Sequence, residues 1–99
     1  MINKGELQMT KEDIKRGKIV YYARILKPVG TYEVNELLIR TVDEDYFVGI
    51  DKHDKHAYLF LYSSLNELIF DNRQECLDVV LEAENNAPKV SDEKEYEEY

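Results

Sequence analysis

Four runs of β-branched and aromatic residues, each closed by turn-forming residues, occupy this chain from residue 18 to residue 62. They are "KIVYYARILK" (18–27), "TYEVNELLIRTV" (31–42), "YFVGI" (46–50) and "AYLFLY" (57–62). Residues of this type pack well on a pleated surface, so each run is expected to be a strand. The connections are "PVG", "DED" and the polar loop "DKHDKH" (51–56). Pro28 fixes φ in the first and Gly30 permits the positive φ that a tight turn needs. Turns this short join antiparallel neighbours. In the first strand Ile19, Tyr21, Ala23 and Ile25 share one face, and Val20, Tyr22, Arg24 and Leu26 share the other. Both faces are partly apolar, which predicts an interior position in a curled sheet. The alternation in the second strand breaks near "NELL", as a β-bulge would make it do.

The rest of the chain closes this sheet. "SSLNE" holds one helical turn and "LIF" (68–70) a brief fifth strand. A helix follows over about 72–84, with Asn72 or Asp71 as N-cap and Glu75 or Gln74 as its capping-box partner. Cys76, Val79, Val80 and Ala83 recur at helical spacing, Leu77 and Leu81 widen the stripe, and the helix is expected to cover the sheet. "NNAP" ends it. Upstream, "TKEDIKRG" reads as one capped turn with Asp13 reaching back to Thr10, Gly17 as its left-handed exit and Ile14 closing one end of the core. The expected organisation is a leader or edge strand at 1–9, one α+β domain at 10–87 and an acidic tail at 88–99. The domain is a small, strongly twisted five-stranded antiparallel sheet or partly open barrel, with one short N-terminal helical turn and one C-terminal helix packed on the sheet. The tail composition is that of a solvated, disordered end.

Charge narrows the functional classes. The net charge is −8 over 99 residues, and it is uneven. Residues 1–42 carry eight Lys/Arg against five Asp/Glu, or +3; residues 43–99 carry five against 16, or −11. Such a surface repels nucleic-acid phosphates, which argues against direct DNA or RNA binding and for a basic protein partner. The single Cys76 makes no internal disulfide and fits a reducing compartment. No apolar run approaches the ~18 residues of a membrane span, and no signal-peptide core opens the chain. A cytoplasmic location is expected, in the host cell if the protein is phage-encoded.

The order "EDIKRGKIVYYA … ELLIRTV … YFVGID … AYLFLY … LIFDNRQECLDVVLEAE" resembles small proteins of Firmicutes phages and mobile elements. Those proteins share a Val-Tyr opening strand, a short meander and a "vF-x-(T/N)-(R/K)-x-EA" junction into a final helix. Here the junction is Phe70, Asn72, Arg73, Glu75 and Cys76, with Cys76 where alanine is usual. The resemblance spans about residues 12–84 and implies the fold above. Most such proteins have no assigned activity. Some small acidic phage proteins of this size inhibit host defence, including anti-CRISPR proteins, and the resemblance implies that kind of role.

Individual motifs add little catalytic signal. In "DKHDKH", His53 and His56 with Asp51 and Asp54 could bind a divalent transition metal, but two lysines oppose a cation and a polar hairpin tip is the default reading. Cys76 lies on the apolar stripe with no base nearby in sequence, so packing is expected rather than nucleophilic attack. There is no Gly-rich phosphate loop, no Ser/His/Asp set and no CxxC pair, and the expectation is a non-enzyme without cofactor. Outward tyrosines are good interface anchors. Interleaved with acids, Asp43, Glu44, Asp45, Tyr46, Asp51, Asp54 and Tyr58 are the expected partner-binding residues. The functional expectation is an acidic DNA-mimic inhibitor that occludes the basic nucleic-acid-binding groove of a host protein. A self-assembling structural or accessory phage protein, forming a homo-oligomer, is one alternative. A small-ligand protein that sequesters a nucleotide is the other.

Overall fold

The structure is a computed structural model that describes residues 8–87. The tail from residue 88, and all of the expected leader except Gln8 and Met9, lie outside the described residues. Five strands, β1 (Ile19–Leu26), β2 (Thr31–Val42), β3 (Tyr46–Asp51), β4 (Ala57–Leu61) and β5 (Ile69–Phe70), form one curled antiparallel sheet in the order β4-β3-β2-β1-β5. One helix, α1 (Arg73–Asn85), follows β5, and short 3₁₀ turns fill Lys11–Asp13, Lys27–Val29 and Tyr62–Ser64.

The sheet carries a separate apolar cluster on each face. On one face Val20, Leu37, Ile39, Phe47, Phe60 and Ile69 are buried together, with Met9 and Ile14 folded over them from the N-terminal segment. Rings dominate here: Phe47 stacks on Phe60 at 5.5 Å between centroids, and Tyr22 meets Phe60 edge-on at 4.9 Å. Gly49 makes room for this packing, since a Cβ there would sit 3.1 Å from Leu37 Cβ. On the other face α1 lays Cys76 and Val80 against Ala23 and Phe70, with Tyr21, Ile25, Tyr32 and Val34 around them. The helix therefore covers β1, β2 and β5 on one side of the sheet. Leu81, read as part of the stripe, is exposed instead.

Local chemistry explains the boundaries. The Asn72 side chain accepts the Glu75 N–H at 3.0 Å and starts α1. Asp13 accepts the Thr10 N–H at 2.8 Å, and Gly17 leaves that turn at φ +89. The bulge lies later than "NELL" suggests, between Ile39 and Thr41 in the pairing of β2 with β3. An unbroken register would place Thr41 across from buried Phe47, whereas the extra residue places Val42 there. Met9 was invisible as a core residue in an aperiodic leader. Asn66, at φ 68, holds it by accepting the Met9 N–H at 2.9 Å and donating to the Met9 carbonyl at 2.8 Å.

Candidate interaction surface

The seven expected contact residues do not form one patch. Asp43, Glu44 and Asp45 are exposed in the turn between β2 and β3, and Tyr46 opens β3 beside them. Backbone contacts fix this turn: the Tyr62 hydroxyl donates to the Asp43 carbonyl at 2.6 Å, and Lys11 Nζ donates to the Glu44 carbonyl at 2.6 Å. Burial, then Asp43 and Asp45 nearby, push the Tyr62 hydroxyl pKa up. Asp51 and Asp54 lie at the far end of β3, roughly 17 Å away at ~3.4 Å per residue. Tyr58 stands on the aromatic face, packed against Tyr22 at 5.5 Å between centroids, and Tyr46 belongs to the opposite face.

Asp51 departs furthest from its expected role. It is 2 % exposed, and its carboxylate organises the β3–β4 hairpin from inside. Oδ1 accepts the N–H groups of His53 at 2.7 Å and Asp54 at 3.0 Å, and Oδ2 accepts Asn35 Nδ2 at 2.6 Å. Burial raises the carboxyl pKa, but these hydrogen bonds outweigh it and hold the group below the usual aspartate range. With Asp51 turned inward, the loop's imidazoles and carboxylates do not converge. His56 Nδ1 lies 3.5 Å from Asp54 Oδ2 on the surface. Among the described residues no group of three His, Cys, Asp or Glu side chains is placed to hold a metal ion. An open cleft of about 500 Å³ adjoins this hairpin, lined in part by Glu33, Asn35, Asp51, His53 and Arg73. The Asn35 Oδ1 at its inner end has no hydrogen-bond partner among the described residues.

Cys76 is fully buried, and burial pushes its thiol up to about 12, with Arg73 opposing and Glu75 adding to the shift. The thiol lies against Ala23, Phe70 and Val80, where it packs the helix onto the sheet.

One further acidic feature is readable in the sequence beyond its capping residues. Asp71, Glu75, Asp78 and Glu82 recur at steps of four, three and four, which places them in one row along α1 and its entrance. Glu75, Asp78 and Glu82 border a shallow groove with Gln8, Asn66, Phe70 and Val79. Lys18 pairs with Asp71 at 3.0 Å, and Gln74 donates to Asp78 at 2.9 Å. Among the described residues no cation lies within ion-pair distance of Glu75, Asp78 or Glu82. No protein-family model, curated protein or solved structure matches the chain. Among the described residues no helix is long and apolar enough to cross a membrane.

Proposed function

We propose that this protein is a non-enzymatic inhibitor, of the kind found in phages, that docks on a basic nucleic-acid-binding groove of a host protein and occludes it. The observation that carries the reading is the carboxylate row Glu75, Asp78 and Glu82, held on a capped helix and without cationic partners among the described residues. A helix fixes neighbouring charges of this row about 5–6 Å apart, a regular spacing suited to a groove that reads a phosphate backbone by charge. The Asp43–Glu44–Asp45 turn supplies a second, separate acidic point, anchored by Lys11 and Tyr62. Asp51 and Tyr58 have structural roles in this account, and Asp54 stays at the periphery. Occlusion needs no reaction, only complementary charge and a rigid frame.

Affinity capture from host lysate, followed by association kinetics with the recovered protein, tests the proposal. Association should slow about tenfold or more in Asp78→Lys/Glu82→Lys, because rim charges act mainly on the on-rate. It should also slow steeply above physiological salt, where screening acts beyond ~8 Å. The captured protein should lose nucleic-acid binding when the inhibitor is present. A partner that keeps its nucleic acid, or binds the double variant at the parental rate, sinks the mimicry reading.

A further inference from the structure

Among the described residues, the helix leaves part of its own side of the sheet bare. Leu38, Val48 and Ile50 lie there beside β4, whose Leu59 and Leu61 are 60 % and 57 % exposed. Among the described residues β4 is also an edge strand. Its free backbone groups can be assigned from the hairpin. Asp51 N–H donates to the His56 carbonyl, which makes 51 and 56 a hydrogen-bonded pair. Alternation along the ladder then makes Gly49–Tyr58 and Phe47–Phe60 hydrogen-bonded pairs. Ala57 and Leu59 must therefore aim both N–H and C=O away from β3, and Leu61 its N–H, since the Leu61 carbonyl starts the 3₁₀ turn at Tyr62–Ser64. Their side chains all lie on the bare face.

Exposed edges usually carry lysine, proline or a bulge that blocks pairing with another chain. β4, with the sequence Ala-Tyr-Leu-Phe-Leu, has none of these. We infer that β4 is an interface for a second copy of this chain, pairing antiparallel with its own equivalent about a two-fold axis at Leu59. This register is the one that uses all three outward residues: Leu59 faces Leu59 of the second copy, and Ala57 faces Leu61 in both directions. It forms four backbone hydrogen bonds by the ladder rule, and it joins the two bare faces into one continuous apolar strip. Charge agrees with the same arrangement. Antiparallel pairing brings the Lys55–His56 end of one β4 to the end of the other that carries Tyr62, whose hydroxyl contacts the Asp43 carbonyl of the acidic turn. A five-residue strand makes a small interface, so the dimer should be concentration-dependent rather than permanent.

The experiment uses the full chain. Sedimentation velocity from about 5 to about 500 µM should show a monomer converting to a dimer. Backbone hydrogen exchange over the same range should show Leu59 and Leu61 becoming protected as the dimer forms. Leu59→Lys places a charge on an already exposed position and should weaken dimerisation at least tenfold while leaving the melting temperature of the monomer within a few degrees. A chain that stays monomeric at the highest concentration overturns the inference, and protected amides in that monomer would assign the edge to a terminal segment of the same chain. A dimer whose formation leaves those two amides unprotected, or that Leu59→Lys does not weaken, overturns it equally.

Discussion

At the scale of single residues, Asp51 shows how a loop that looks like a ligand cluster can be a folding device. Its position in "DKHDKH" gave it a surface role by composition, yet a carboxylate at the first position of a hairpin loop can accept the N–H groups two and three residues on. It does so, and Asn35 from the neighbouring strand takes the other oxygen. That last contact lies 16 residues away in sequence, which is why no local pattern announced it. Asp51→Ala would remove the acceptor of three part-buried hydrogen bonds and should cost about 1.5–3 kcal/mol at pH 7. The pH dependence has a definite sign. Because the folded pKa is depressed, the charged-state contribution is complete above the unfolded value near ~3.9 and fades as pH falls through the folded one. Urea melts at pH 7 and pH 3 should therefore show a smaller gap between parent and Asp51→Ala at the lower pH. An equal gap would mean that shape, and not the ionised carboxylate, stabilises the hairpin.

At the scale of elements, α1 was the most legible part of the chain and also the most easily over-read. The Asn72 cap and the Cys76–Val80 stripe located it to within a residue. The same stripe did not say which side of the sheet it would meet, because both faces of β1 are apolar and either could receive it. The contacts with Ala23 and Phe70 decide that. Val80→Asp puts an unpaired charge among Ala23, Phe70 and Cys76 and should cost about 3 kcal/mol or more, enough to unfold so small a domain. A variant that melts within a few degrees of the parent in circular dichroism would mean that α1 does not pack as described. The strands were legible from the turn residues between them, whereas the bulge position is set by the pairing of β2 with β3, which no local pattern announces. Met9 was missed for a related reason, since its anchor Asn66 is 57 residues distant. The acidic row on α1 was written in the sequence at helical spacing. Dense acids elsewhere hid it, and the placement of Lys18, the one cation among the described residues that reaches it, isolates the row.

For the whole molecule, the two clusters lie on opposite faces of one sheet and share its strands. Val20 and Tyr22 of β1 belong to the aromatic face, while Tyr21 and Ala23, their immediate neighbours, belong to the helix face. Neither side can lose its packing without freeing backbone that the other side uses. A 13-residue helix is marginal alone in water, so α1 depends on the sheet it covers. The sheet in turn would expose Ala23 and Phe70 if the helix left. Folding should therefore be a single cooperative transition, despite the division of the core. Two probes separate the alternatives. Far-ultraviolet circular dichroism is dominated by the helix, whereas the NMR ring resonances of Phe47 and Phe60 report the aromatic face. Urea titrations followed by both should give superimposable midpoints, and Leu37→Ala, which cuts only the aromatic face, should shift both midpoints together. A helix signal that holds its parental midpoint in that variant would show that the two faces fold independently.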